Sequence, residues 1–290
     1  MKFTPSNAAL HATVTGIDLS EPLTSSDVWN LKEALGRYGV LSFPGQRLNP
    51  QQLCRFSGQF GELELNVANK FHEPGIPEMM ILSNMVIDGQ PIGMSDAGQG
   101  WHTDLSYRGV IGYATVLYGI KIPERDGQPL GSTQFCNTQS SYEDLPQEVK
   151  VMLEGKTVQH DFAKFWDMMR LEKGSQRAEL TPAQRAARPP TSHPIFLEHP
   201  LTRKKVLYAD PGYSVRINEL DPEESDRMLK FLFEHQTLDK YKYSHRWSEG
   251  DVLMWDNIGT IHNAVADYQP SEHRLLKRCQ VTARHLFNHA

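Results

Sequence analysis

Apolar residues along this chain alternate between two spacings. Val14-Thr15-Gly16-Ile17-Asp18-Leu19 switches between apolar and polar side chains, the period of a half-buried strand. Val28, Leu31, Leu35 and Tyr38 then recur at helical spacing, behind a Thr24 or Ser25 cap and ahead of Gly39. Val40-Leu41-Ser42-Phe43 predicts a strand closed by Pro44-Gly45. Asn49-Pro50 opens a second helix, with Leu53, Phe56 and Phe60 on one face and Gly61 at its end. Residues 79–84 read as a buried strand, Asp88-Gly89 as a turn, and residues 93–100 as a small, polar, glycine-rich loop. Strands are expected again over 114–120 and 133–136, and a helix over about 141–153. Short strands follow over 194–197, 206–208 and 213–217. Asp221-Pro222 starts an amphipathic helix with Met228, Leu229, Leu232 and Phe233 inward, and strands over 251–255, 260–264 and 275–283 close the chain.

Residues 163–192 depart from this rhythm. Phe165, Trp166, Met168 and Met169 precede a charged stretch ending in Arg188-Pro189-Pro190, which reads as a solvated helical excursion or as a lid over a site. No repeat, low-complexity tract or linker divides the chain. The expectation is a single domain over 1–290, mainly β with flanking helices.

Composition narrows the class. Of 290 residues, 39% are hydrophobic and 22% charged, which suits a globular protein with a real core. A net charge of −5 gives no reason to expect nucleic acid as a partner. No apolar run approaches the roughly 20 residues that span a bilayer, and Met1 to Ala12 holds no apolar leader core. Cys54, Cys136 and Cys279 are widely spaced, which fits a reducing cytoplasm and argues against a disulfide framework or a thiolate metal site.

Chemistry gathers at Gly100-Trp101-His102-Thr103-Asp104-Leu105-Ser106-Tyr107. On a strand, His102 and Asp104 would share a face and could reach one metal ion; on a helix they would diverge. A His-x-Asp pair alone is a common accident, and its meaning depends on a distant third ligand. His262, in Thr260-Ile261-His262-Asn263-Ala264, can supply it and complete the two-His, one-carboxylate set of non-haem Fe(II) oxygenases. Arg274 and Arg278 follow, expected on one strand face with Leu275, Cys279 and Val281 on the other. An inward-facing Arg needs an anion. A dicarboxylate such as 2-oxoglutarate would meet it, chelating iron at one end and taking the Arg fork at the other.

These pieces resemble the taurine dioxygenase/phenoxyacetate dioxygenase (TauD/TfdA) family of Fe(II)/2-oxoglutarate-dependent dioxygenases. The likeness runs from Gly16-Ile17-Asp18-Leu19 through Tyr38-Gly39-Val40-Leu41-Ser42-Phe43 and Phe60-Gly61-Glu62-Leu63 to the C-terminal region. Its most specific parts are Trp101-His102-Thr103-Asp104, Trp255-Asp256-Asn257 with His262, and Ala266-Asp267-Tyr268 with the two arginines. The resemblance implies a double-stranded β-helix (jelly-roll, cupin-like) core, with His102, Asp104 and His262 as iron ligands. It implies Thr133 and Arg274 on the distal carboxylate of 2-oxoglutarate, O2 as co-substrate, and release of succinate and CO2. Arg278 matches the family Arg that meets an anionic substrate group, and Phe162 and Tyr213 match aromatics of the substrate pocket.

The departures are as informative. Asn66 stands where the taurine enzymes have a sulfonate-binding His, and about Gly98 where they have an Asn for the amine. Leu130-Gly131-Ser132-Thr133 loosens the usual motif around the Thr, and one extra residue separates Tyr268 from Arg274. The expectation is hydroxylation of a C–H bond in a small anionic acid other than taurine. Desaturation or ring formation in a biosynthetic pathway would use the same cofactor set. A non-catalytic binding protein and a zinc hydrolase are rival classes; the first is disfavoured by an intact triad with an Arg clamp, and the second gives Arg274 no role. The retained Asp104 argues against halogenation, whose enzymes replace that carboxylate. The expected partner is a small molecule, with no nucleic acid and no membrane, and a homo-oligomer is compatible with the reading.

Overall fold

A computed structural model of the chain describes residues 1–65, 70–173, 175 and 177–287. Its largest element is an eight-stranded sheet. In spatial order the strands are Lys2–Pro5, Ala12–Thr15, Val40–Phe43, Val252–Asp256, Gly112–Lys121, Leu275–Thr282, Ile76–Ser83 and His72–Glu73. Neighbours are antiparallel except Ala12–Thr15 beside Val40–Phe43, a parallel pair joined through a helix. A three-stranded sheet of Lys242–His245, Thr133–Asn137 and Thr260–Ala264 faces it, the pairing of a jelly roll.

The strand Val252–Asp256 explains why the core has two compartments. Val252 and Met254 point to the outer face and join Leu31, Leu35, Leu53 and Phe56 from two covering helices. Leu253 and Trp255 point inward and join Leu10, Phe135, Trp247 and Leu276 between the sheets. A strand covered on both faces reads as a continuous apolar run. Each such buried side chain contributes about 1.5–3 kcal/mol.

The covering helices are Ser25–Tyr38 and Pro50–Gly58. Thr24 caps the first by accepting from the Asp27 amide at 3.1 Å. Gly39 ends it at φ 69°, where an added Cβ would lie 2.9 Å from Thr260 Cγ2, so only glycine fits. The second has a capping box between Asn49 and Gln52, and it stops at Gly58 rather than Gly61. The helix expected over 141–153 is two, Thr138–Glu143 and Gln147–Leu153, split at Pro146, which lacks the amide a continuous helix needs.

A third sheet, Thr191–Pro194, Thr157–His160 and Ser214–Ile217, packs with the helix Pro222–Gln236 beside the jelly roll. Residues 163–192 contribute the helices Phe162–Glu172 and Pro182–Ala186. They are not merely a solvated excursion, because Ala163, Phe165 and Met169 are buried. Arg177 ties the stretch to the loop ahead of His102, both of its donor nitrogens lying 2.9 Å from the Asp96 carboxylate. Among the described residues no helix is long and apolar enough to cross a membrane.

Candidate active site

The strand Thr260–Ala264 delivers His262, and one residue pair continues its ladder. His102 and His262 exchange both backbone hydrogen bonds, at 3.0 and 2.8 Å, which sets their rings 4.2 Å apart. The strand expected through Asp104 does not form. His102 makes this single bridge, and Asp104 already lies in a turn whose next residue, Leu105, has φ 62°. The turn swings the carboxylate back toward the rings instead of relying on strand alternation. Asp104 Oδ1 lies 3.8 Å from His102 Nε2, and Oδ2 lies 3.9 Å from His262 Nε2. One donor atom from each of the three buried residues lies within 4.8 Å of the others.

The protonation pattern suits a metal. His102 Nδ1–H donates to the Gly100 carbonyl at 2.8 Å, which leaves Nε2 with a free lone pair on the Asp104 side. Burial, then the neighbouring His102 and Arg278, hold the His262 imidazole well below its ordinary pKa despite Asp104. Burial alone would raise the Asp104 carboxyl. Arg278, His262, His102 and the Thr115 hydroxyl outweigh it and keep the group ionised. Two imidazoles and one carboxylate are a set for a borderline divalent ion with positions left open.

Outer residues fix this set. Thr115 donates to Asp104 Oδ2 at 2.7 Å, Asn257 donates to Thr115 at 2.9 Å, and Trp255 donates to Asn257 at 2.9 Å. Trp255 and Asn257 are therefore more than packing: they end a relay of hydrogen bonds on the carboxylate. Trp255 also packs at a tilt on His262 at 4.8 Å, and Phe165 packs on His102 at 4.8 Å.

A cavity of about 870 Å³ opens beside His102 and Asp104, with Arg278, Phe162, Tyr213 and Tyr107 on its wall. Gly98 lines it too, whereas Asn66 lies outside the described residues. Arg278 Nη1 is 3.6 Å from Asp104 Oδ1, and its Nε is buried without a partner among the described residues. Cys279 and Val281 turn into the outer core, as expected, but Leu275 is half-buried and precedes a register shift.

Arg274 and Thr133 are not on this wall. Arg274, only 7% exposed, donates to the Gly131 carbonyl at 3.1 Å and lies over the Tyr268 ring, while its Nε has no partner. The ion pair it could have made is absent: Glu272 is taken by Arg125, and Asp267 accepts from the Gly131 amide. Among the described residues no carboxylate lies within ion-pair distance of this buried guanidinium, and Asp267 acts on it only from further away. Thr133 accepts from the Trp247 indole at 3.0 Å.

Two groups were not legible beforehand. Tyr107 sits between Phe162 and Tyr213, at ring distances of 5.0 and 4.9 Å, and burial pushes its hydroxyl up to about 12. Asp210, 1% exposed, accepts from the Tyr213 amide at 2.8 Å, and its other oxygen lies 3.4 Å from Ser106 Oγ and 3.5 Å from His160 Nδ1. One carboxylate thus joins the turn after Asp104, the strand before Phe162 and the turn bearing Tyr213. In the sequence, Asp210 stands in an Asp-Pro-Gly stretch typical of turns, a pattern that carries no sign of these buried partners.

The geometry agrees with what the chain is similar to. The family described as "Taurine catabolism dioxygenase TauD, TfdA family" matches residues 2–280. Pentalenolactone F synthase of Streptomyces avermitilis is 30% identical over 93% of this chain and 90% of its own. The alpha-ketoglutarate-dependent 2,4-dichlorophenoxyacetate dioxygenase of Cupriavidus pinatubonensis is 29% identical over 94% of this chain and 95% of its own. Among solved structures, a taurine dioxygenase from Burkholderia xenovorans superposes with a TM-score of 0.78 at 29% identity, covering 97% of this chain and 89% of that one. AAD-2 in complex with Mn(II) and N-oxalylglycine gives 0.80 at 25% identity, covering 97% and 96%. A buried His-Asp-His set on a jelly roll, matched from Lys2 to Gln280, leaves one conclusion: the chain belongs to the TauD/TfdA family of Fe(II)/2-oxoglutarate-dependent dioxygenases.

Proposed function

We propose that His102, Asp104 and His262 hold Fe(II), that Arg274 and Thr133 hold the distal carboxylate of 2-oxoglutarate, and that Arg278 anchors an anionic organic acid for C–H hydroxylation. The observation that carries the reading is a buried three-donor set beside a cavity with an arginine on its wall. Iron with 2-oxoglutarate and O2 supplies oxidative decarboxylation to succinate and CO2, coupled to oxidation of a substrate C–H bond. The chain's own work is positioning and exclusion of water. Thr115 and Asn257 keep Asp104 in place, and Phe165 braces His102. Phe162 and Tyr213 hold the apolar body of the substrate, and Arg278 takes its acid group. Residues 163–192 serve as a cover, secured by Arg177 on Asp96, over one catalytic unit spanning 1–290. Three unbridged cysteines support a cytoplasmic setting.

The substrate reading excludes taurine. The cavity of about 870 Å³ lies toward the upper end of ligand pockets, far larger than a two-carbon acid requires. A panel of carboxylates, sulfonates, sulfates and phosphonates, scored by substrate-dependent succinate release, tests it. We expect an acid to be the best substrate and Arg278→Ala to lose it. Efficient taurine turnover would overturn the specificity, and a neutral best substrate with Arg278→Ala fully active would overturn the anchor. Similarity to a pentalenolactone F synthase favours one variant, in which the same machinery serves a biosynthetic desaturation or ring formation. Product analysis by mass separates the two, since hydroxylation adds an oxygen and desaturation removes two hydrogens.

The wall behind His102 gives a further test. A Cβ at Gly212 would lie 2.8 Å from His102 Cβ and 3.0 Å from Phe165 Cδ2. Gly212→Ala therefore pushes the ligand ring, and Fe(II) affinity should fall on the order of ten-fold, as for the loss of a residue that orients a ligand. A metal titration with unchanged affinity would mean that the backbone absorbs the methyl.

A further inference from the structure

Trp247 is 1% exposed, and its indole N–H donates to Thr133 Oγ1 at 3.0 Å. An indole N–H can only donate, so it occupies a lone pair on the hydroxyl. The Thr133 proton must then go elsewhere, and among the described residues no protein acceptor takes it. An unrestrained threonine hydroxyl can rotate freely; this one keeps its O–H donor and one further lone pair, and its proton is turned away from the indole. Nearby, the Gly131 carbonyl accepts from Arg274, whose Nε also has no partner. Buried donors without protein acceptors need water or a ligand acceptor, and a guanidinium among them favours an anion.

The indole cannot easily turn away. His245 packs edge-on against it at 4.9 Å. Asp251 Oδ2 accepts from the Ser248 amide at 2.9 Å and lies 3.2 Å from His245 Nε2, which secures both flanks. Below, a Cβ at Gly119 would come within 3.1 Å of the ring.

We propose that Trp247 is a positioning residue for 2-oxoglutarate: it polarises and orients the Thr133 hydroxyl so that its proton faces the distal carboxylate. This rests on Thr133 and Arg274 being the 2-oxoglutarate subsite, and the test separates the two claims. The Fe(II) protein is titrated anaerobically with 2-oxoglutarate and followed by its metal-to-ligand charge-transfer absorption. Trp247→Phe keeps an aromatic ring and removes the donor; affinity should fall about five-fold, the worth of one neutral hydrogen bond. Thr133→Val should weaken binding by at least as much, and the double variant should be no weaker than Thr133→Val alone. Thr133→Ser, whose hydroxyl lacks the methyl that restricts a threonine rotamer, should keep wild-type affinity because the indole does the orienting. This arm stands even if Trp247→Phe does not fold. Additive losses in the double variant, an unaffected Trp247→Phe, or a loss in Thr133→Ser would overturn the role of Trp247. An unaffected Thr133→Val would overturn the subsite itself.

Discussion

Asp104→Ala and His262→Ala should each abolish turnover and Fe(II) binding while the protein stays folded. The three donors are buried and lie within 4.8 Å of one another before any ion arrives, so the site is built around the loss-sensitive number of three. Removing only a residue that orients a ligand usually costs about 10–100-fold in metal affinity, and removing a ligand costs more. Asp104→Ala has a second consequence. It takes from Arg278 the carboxylate that pairs with it among the described residues, at 3.6 Å, and leaves Thr115 without its acceptor at 2.7 Å. The remaining cluster is two imidazoles beside a guanidinium, which repels a cation. The fold survives because the apolar clusters on both faces of the large sheet do not depend on this carboxylate. The measurement is succinate formation in metal-controlled assays, with circular dichroism as the check on folding. A wild-type rate in either variant would remove that residue from the iron site.

Arg274→Ala is expected to raise the requirement for 2-oxoglutarate by roughly ten- to a hundred-fold, because a charge-assisted hydrogen bond of about 1.5–3 kcal/mol would be lost. The location of the side chain sharpens this expectation. A guanidinium only 7% exposed, with no close ion pair among the described residues and Asp267 acting only from further away, is costly in the empty protein and favourable once an anion meets it. Burial accordingly lowers its pKa. Two readouts should therefore move in opposite senses. The ligand-free variant should melt no lower than wild type, since an uncompensated buried charge has gone. The rise in melting temperature that Fe(II) and 2-oxoglutarate confer on the wild type should largely vanish. Arg274→Lys should recover only part of the affinity, because an ammonium lacks the planar fork. Unchanged 2-oxoglutarate affinity in Arg274→Ala would transfer the role to Arg278 or elsewhere.

Much of the β framework was legible because local rules and tertiary packing agree. Thr24, Gly39, Asn49 and Asp221 end or begin helices through contacts within a few residues, so the signals are in the string itself. Val40–Phe43 and Thr260–Ala264 sit where alternation and apolar runs put them. Local reading fails where the cause is not local. At His102 and Asp104 the ligand pair was read from strand alternation, yet the two converge because one bridge to His262 is followed by a turn at Leu105. The two side chains do converge, but by a different path from strand alternation: a short polar segment takes its backbone path from what it packs against.

The amino-acid sequence by itself determined the ligand types, their order along the chain, the family and the arginine pair, because these depend on side-chain chemistry and motif spacing. Only the tertiary structure decided which groups share a buried space. Nothing in the string tells that Arg274 is left without a carboxylate while Glu272 turns to Arg125. Nor does it tell that Trp247, far along the chain from Thr133, donates to its hydroxyl, or that Asp210 joins Ser106, His160 and Tyr213. The physical reason is one of range. Propensity and periodicity act over a few residues, whereas a buried polar group takes its partner from whichever distant segment the folded sheets bring within hydrogen-bonding distance.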